Sequence, residues 1–163
     1  MTQSKPVIQL LKTESEKEEC AKIMSESEPW ITLNFDYEKV IEILNDSINE
    51  VYIMFIGSDI VGFSIVQMKG SFVGYIKTIV IKPSWRNMHL GEKMIKYLEN
   101  RIFEVHPNIF LCVSSFNLKA KKFYYRLGYE FVGEISDYVV KGHAEILLRK
   151  TRGPISDFES LKV

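Results

Sequence analysis

The sequence predicts one α/β domain with a mixed, mostly antiparallel sheet of about six to seven strands and about four flanking helices. Its 163 residues suit one compact domain better than two small ones. Three consecutive β-branched and aromatic runs joined by tight turns are typical of antiparallel strands. A later strand–helix–strand segment implies one parallel pair.

The N-terminal segment predicts a strand followed by a helix. An apolar run extends from Val7 to Leu11. Thr13 with Glu16, and Ser15 with Glu18, then form two overlapping capping boxes, the pattern in which side chains satisfy the free backbone groups of a helix start. The first helix should begin there.

A second helix should begin after Asp36, a candidate N-cap. The link before it holds Pro29, Trp30 and Asn34 and is expected to be a loop. The apolar side chains that follow recur at helical spacing, and they are Tyr37, Val40, Ile41, Leu44 and Ile48.

The middle of the chain predicts strands and a long helix. The runs Val51 to Ile56, Ile60 to Met68 and Phe72 to Ile81 are separated by Gly-containing turns. Apolar residues from Leu90 to Ile102 then follow helical spacing, and His-Pro-Asn ends that helix before the strand Ile109 to Val113.

The last part of the chain predicts a fourth helix and two further strands. The helix should open at Asn117 and end at Gly128, and the strands should span about Tyr129 to Ile135 and His143 to Leu148. The domain is expected to occupy residues 1–152. Residues 153–163 show little periodicity and form either a docked arm or a disordered tail.

Composition narrows the class of protein. Lys plus Arg (21) balance Asp plus Glu (21), so no overall positive field favours nucleic acid. The apolar fraction of 46% suffices for a core without metals or disulfides. Cys20 and Cys112 lie in apolar stretches, as buried thiols do in a reducing compartment. With no apolar run of membrane length, a cytoplasmic location is expected.

The most informative stretch runs from Ile79 to Glu92, where a strand passes through a short loop into a helix. Such an arrangement directs unpaired N–H groups and the positive helix end at one point, which suits a pyrophosphate. The stretch resembles the coenzyme A loop of the GNAT superfamily of N-acetyltransferases, Gln/Arg-x-x-Gly-x-Gly/Ala. Arg86 and Gly91 match its ends, and His89 stands where the first Gly is usual.

A second signature follows about thirty residues later. The segment from Asn117 to Tyr129 resembles the family pattern Asn-x-x-Ala-x-x-Phe-Tyr-x-x-x-Gly-Phe/Tyr. The resemblance spans roughly residues 7–150, and it implies a sheet whose two parallel central strands splay to admit acetyl-CoA. It also implies cofactor contacts by Ile79, Val80, Ile81, Arg86, Asn87, Met88, His89, Leu90, Gly91, Glu92, Asn117, Lys119 and Ala120.

The same resemblance implies that Tyr124 stands near the thioester sulfur and protonates the departing thiolate. Taken by residue type alone, Asn117 is equally explained as an N-cap and Tyr124 as an amphipathic core residue. For Arg86 the alternative is a solvated surface charge. Many relatives carry a glutamate on the strand before the loop, whereas residues 72–81 contain no carboxylate. A water relay or a base from another segment is therefore expected.

Two segments are expected beside the acetyl group: the first interhelical link, with Trp30 and Phe35, and the last hairpin, with Asp137 and Tyr138. Asp137-Tyr138 resembles a stretch of enzymes that acetylate protein N-termini. The acceptor is expected to be a primary amine of a peptide, protein or small molecule. These aromatic residues could equally be core or loop anchors.

Two other functions compete with an acetyltransferase that is a monomer or homodimer. One is an acyl-CoA-binding sensor without catalysis, for which His89 and the missing strand glutamate are the hints. The other is a nucleotide-phosphate domain, which the sequence disfavours because it has neither GxxxxGK[ST] nor GxGxxG after a strand.

Overall fold

The computed structural model describes residues 4–159. Within them, two short 3-10 helices, Pro83–Trp85 and Ile155–Asp157, accompany seven strands and four α-helices. The strands are β1 (Val7–Leu10), β2 (Asn49–Ile56), β3 (Asp59–Gln67), β4 (Tyr75–Ile81), β5 (Asn108–Ser114), β6 (Glu130–Ser136) and β7 (Ala144–Thr151). The α-helices are α1 (Glu14–Ser25), α2 (Tyr37–Asn45), α3 (Leu90–Phe103) and α4 (Leu118–Arg126).

One sheet holds all seven strands in the order β1-β2-β3-β4-β5-β7-β6. Every neighbouring pair is antiparallel except β4 and β5, which are parallel. These two strands pair only at Tyr75 with Phe110 and at Ile76 with Leu111. Beyond those residues they diverge, which confirms the predicted mixed sheet with a splayed parallel pair.

A β-bulge lies where β4 leaves β5. Thr78 pairs with Ile65 and Ile76 with Val66, so Lys77 is the extra residue on β4. Bulges bend a strand and re-aim its side chains. The bend therefore falls at the point where the two parallel strands separate.

The first residue of β4 differs from the predicted Phe72. The strand begins at Tyr75 because Gly74, with φ +84°, turns the chain just before it. A Cβ on Gly74 would lie 2.6 Å from the Asn108 carbonyl oxygen, so the close approach to β5 requires glycine here.

Helix caps confirm two predictions and correct two others. Thr13 forms the expected capping box with Glu16 at the start of α1. Ser15 lies inside the first turn of that helix, so the second box is wrong. Asp36 caps α2 by accepting a hydrogen bond from Lys39 N–H at 2.9 Å. That helix ends at Asn45, and Ile48 lies outside it because the chain becomes extended at the following residue.

Helices cover both faces of the sheet, and each face has its own apolar core. Helices α3 and α4 pack on one face over a cluster that includes Met94, Leu98 and Leu111. Helices α1 and α2 pack on the other over a cluster that includes Met24 and Phe63. No helix between residues 4 and 159 is long and apolar enough to cross a membrane.

The predicted core cysteines differ in burial. Cys20 is fully buried under α1, as expected, whereas Cys112 on β5 is only partly buried. The domain boundary at residue 152 stays a prediction. Of the tail, residues 155–157 form the short helix named above, and residues 160–163 lie outside the described part of the chain.

Candidate active site

A groove of about 880 Å³ runs between the end of β4, the start of α3 and α4. We call it the helix groove. Of the thirteen residues predicted to contact the cofactor, all but Met88 line it. Met88 instead packs against the core beneath α3 and α4. The loop and the two helix ends that the sequence singled out therefore converge on one surface.

The N-terminus of α3 opens into the helix groove without a side-chain cap. Thr13, Asp36 and Asn117 cap α1, α2 and α4, whereas His89 at the N-cap of α3 makes no such hydrogen bond. Asn87 and His89 both adopt left-handed backbone angles, φ +62° and +57°. The first N–H groups of α3 thus have no intrahelical acceptor and remain available to an anion.

Charged side chains border this helix start. The Arg86 side chain is exposed, and its Nε donates a hydrogen bond to the Ile81 carbonyl oxygen at 3.1 Å. The contact holds the guanidinium beside the loop, and within residues 4–159 its terminal nitrogens make no further hydrogen bond, so they can bind a ligand. Glu92 forms an ion pair with Lys96 at 3.0 Å, and that hydrogen bond lowers the pKa of the carboxyl. Lys119, Lys122 and Arg126 add positive charge from α4.

A second cavity of about 510 Å³ lies where β4 and β5 part, and we call it the seam cavity. Its walls come from both strands, from α2, from the interhelical link and from the last hairpin. The seam cavity and the helix groove share Pro29, Trp30, Ile79, Asn117, Ala120 and Tyr124. The two spaces therefore adjoin at the first two turns of α4.

Tyr124 lies at this junction. Its ring makes edge-on contacts with Phe123 and Tyr129, with centroids 5.1 Å and 5.6 Å away. Burial raises the pKa of its hydroxyl above the usual range, so the phenol keeps its proton at neutral pH. The side chain is partly exposed and lines both spaces, so a ligand in either space can contact it.

Comparison with known proteins decides the family. The model of the acetyltransferase (GNAT) family matches residues 10–129 of the chain. The chain belongs to this family. It is 30% identical over 113 residues to an uncharacterized N-acetyltransferase of Methanocaldococcus jannaschii, covering 66% of this chain and 72% of the relative. Family membership confirms the prediction of an acetyl-CoA-dependent acetyltransferase.

Solved GNAT structures share the fold at low sequence identity. The ribosomal-protein-S18-alanine N-acetyltransferase of Escherichia coli superposes with a TM-score of 0.71 at 15% identity, over 98% of this chain and 99% of that one. An aminoglycoside 6'-N-acetyltransferase complexed with coenzyme A gives a TM-score of 0.72 at 17% identity, over 91% and 98%. These likenesses confirm the predicted fold class.

The residues predicted on the acceptor side separate into two groups in this GNAT domain. Trp30, Phe35 and Tyr138 line the seam cavity. Asp137 lines neither space, and its carboxylate accepts a hydrogen bond from Gly142 N–H at 2.6 Å. Its role here is to shape the hairpin turn.

Sequence reasoning missed Glu145 on β7. The residue is 5% exposed, lines the seam cavity, and accepts a hydrogen bond from Ser114 Oγ at 2.7 Å. Burial raises the pKa of this carboxyl. The signal was present in the strand, where Glu145 precedes the core residue Ile146 in an otherwise apolar run. That the Glu145 side chain faces Ser114 and the seam cavity follows only from the pairing of β7 with β5, which sequence periodicity does not predict.

Proposed function

We propose that this GNAT protein transfers the acetyl group of acetyl-CoA to a primary amine, on a peptide or protein N-terminus or on a small molecule. The observation that carries the proposal is the meeting of helix groove and seam cavity at Tyr124. The helix groove fits the long anionic donor, and the seam cavity fits the acceptor. A reaction between two substrates needs such a junction.

The uncapped start of α3 would hold the pyrophosphate. Its free N–H groups and the helix dipole favour an anion, and Arg86 adds a fixed positive charge. The β5-facing edge of β4 lacks a strand partner beyond Ile76, so its backbone at Ile79 can pair with the amides of the pantetheine arm. Asn117, which caps α4, lines both the helix groove and the seam cavity.

Tyr124 would act as the general acid. The buried phenol carries its proton at neutral pH, and donating it to the departing thiolate gives a thiol, a weaker nucleophile that disfavours the reverse reaction. On the other side of the junction, Trp30, Phe35 and Tyr138 would hold the acceptor. Both peptide and small-molecule amines remain within this proposal.

The test replaces Tyr124 by Phe and measures thiol release with a panel of amines. We expect kcat to fall about 10²-fold, the usual contribution of one acid–base group, while KM for acetyl-CoA changes little. Tyr125→Phe is the matched control, because that neighbouring side chain is exposed and lines neither space.

An unchanged kcat in the Tyr124 variant, with chemistry shown to be rate-limiting, would remove Tyr124 from the mechanism. Binding of acetyl-CoA without transfer to any amine in the panel would instead favour a sensor that lacks catalysis.

A further inference from the structure

Three charged side chains line the seam cavity: Glu145, Lys77 and Lys39. Glu145 lies directly across from Ser114 in the β5–β7 register, so both side chains share one face of the sheet. The Ser114 hydroxyl binds one carboxylate oxygen, and the other has no hydrogen-bond partner within residues 4–159. A nearly buried carboxylate with one free oxygen is a strong acceptor for an ammonium group.

Lys77 supplies the opposite charge from the bulge of β4. Its side chain is half-buried and forms no ion pair among the described residues. Desolvation lowers the pKa of its amine, against the attraction of Asp46. A half-buried cation without a partner is stabilised by any anion that enters the cavity. Lys39 lies over the Phe35 ring, 4.1 Å from its centroid, and adds a second positive charge.

We propose that the seam cavity selects an acceptor that carries a carboxylate close to its amine, with Lys77 binding the carboxylate and Glu145 receiving the amine proton. This inference rests on the proposed acetyl transfer. The walls contributed by Trp30, Tyr75 and Tyr138 would enclose the carbon skeleton between the two charges. A free amino acid and a peptide with an acidic residue near its N-terminus share this chemistry.

The transfer step balances with these residues. The amine nitrogen forms the bond to the acetyl carbon while the bond from that carbon to sulfur breaks. The proton lost by nitrogen goes to the free Glu145 oxygen, and the thiolate takes the Tyr124 proton. Exchange with water then restores both side chains. Burial raises the pKa of the Glu145 carboxyl and so makes it a stronger base, while nearby His143 opposes that rise.

The test compares amines that differ only in charge. Free amino acids are assayed against their amides, and amidated peptides with Asp at the second position against those with Asn. We expect kcat/KM to be at least about 10-fold higher for the anionic member in one of these sets, and that set identifies the source of the amine. Equal kcat/KM within every pair would overturn the proposal while leaving acetyl transfer intact.

Variants assign the two roles separately. Lys77→Met should abolish the preference for anionic acceptors, Lys77→Arg should retain it, and Lys22→Met on the exposed side of α1 is the matched control. Glu145→Gln should lower kcat for charged and neutral amines alike, with acetyl-CoA affinity unchanged. A preference that survives in Lys77→Met, or full kcat in Glu145→Gln, would contradict the corresponding role. Absence of transfer to every amine would count against the proposed function itself.

Discussion

His89 holds a backbone conformation that side chains other than glycine rarely adopt. With φ +57° and ψ 18°, it occupies the left-handed region at the N-cap of α3, and its ring is largely exposed. A Cβ in this region crowds the following carbonyl oxygen, at a cost of about 1 kcal/mol. This accounts for glycine being usual at the corresponding position of the family motif.

We expect His89→Gly to bind acetyl-CoA as tightly as the wild type or more tightly. Glycine removes the strain and lets the backbone approach the phosphates. Isothermal titration calorimetry measures the affinity, and His89→Ala separates the two effects because it removes the ring but keeps the Cβ. A large loss of affinity in both variants would show that the imidazole itself contacts the ligand.

Site residues that belong to a local motif could be predicted from the sequence, and those defined by strand pairing could not. Arg86, Asn117 and Tyr124 each occupy a fixed offset from a helix end, so the motif places them in the helix groove. Glu145 lies 31 residues from its partner Ser114. Only the pairing of β5 with β7 brings these two together. Met88 and Asp137 lie outside both spaces, although sequence neighbours of each line them.

Helix α3 differs from the other α-helices in leaving its start uncapped, and the Arg86 side chain flanks that start. We expect Arg86→Glu to weaken acetyl-CoA binding about 10-fold to 100-fold, because a charge-assisted hydrogen bond is lost and a repulsion replaces it. The melting temperature should change by only a few degrees, since the side chain is exposed.

Calorimetric affinity and thermal unfolding, measured on the same preparation, separate binding from stability in this variant. Arg149→Glu on β7 is the matched control, because that exposed side chain lies outside the helix groove. Wild-type affinity in Arg86→Glu would mean that the backbone N–H groups alone hold the pyrophosphate.

Whole elements followed from the sequence more closely than their ends did. Between residues 4 and 159, hydrophobic periodicity and capping residues identified each α-helix and each strand in its order along the chain. They could do so because those signals act over a few residues. The C-terminal end of α2 and the start of β4 were wrong for a different reason. Ile48 continues the apolar spacing of α2 but follows a chain reversal, and Phe72 belongs to an apolar run that Gly74 interrupts. Local backbone geometry after Asn45 decides the first position, and the close approach of Gly74 to β5 decides the second.

The free energy of unfolding of the whole molecule should depend on pH because of the buried Glu145. Its pKa is raised in the folded state, so the folded protein binds more protons than the unfolded one as pH rises above the ordinary carboxyl range. The free energy of unfolding must then fall through that window. Among the neighbouring groups, Ser114 and His143 oppose the shift.

We therefore expect Glu145→Gln to gain stability over the wild type as pH rises above the ordinary carboxyl range, as measured by urea denaturation. The amide keeps the Ser114 hydrogen bond and removes the charge that burial penalises. Glu134→Gln on the exposed face of β6 is the matched control for the loss of a carboxylate. A constant difference for the Glu145 variant would contradict the direction of its pKa shift.

The sparse pairing of β4 with β5 divides the sheet into two antiparallel sections, β1 to β4 and β5 to β7. The chain passes from one section to the other once, through α3. Within each section the strands pair over at least four residues, while the boundary between the sections depends on two residue pairs and on the packing of helices across it. A ligand bound along that boundary would take the place of a missing strand. The two sections of the sheet would then be joined by the ligand where the polypeptide does not join them.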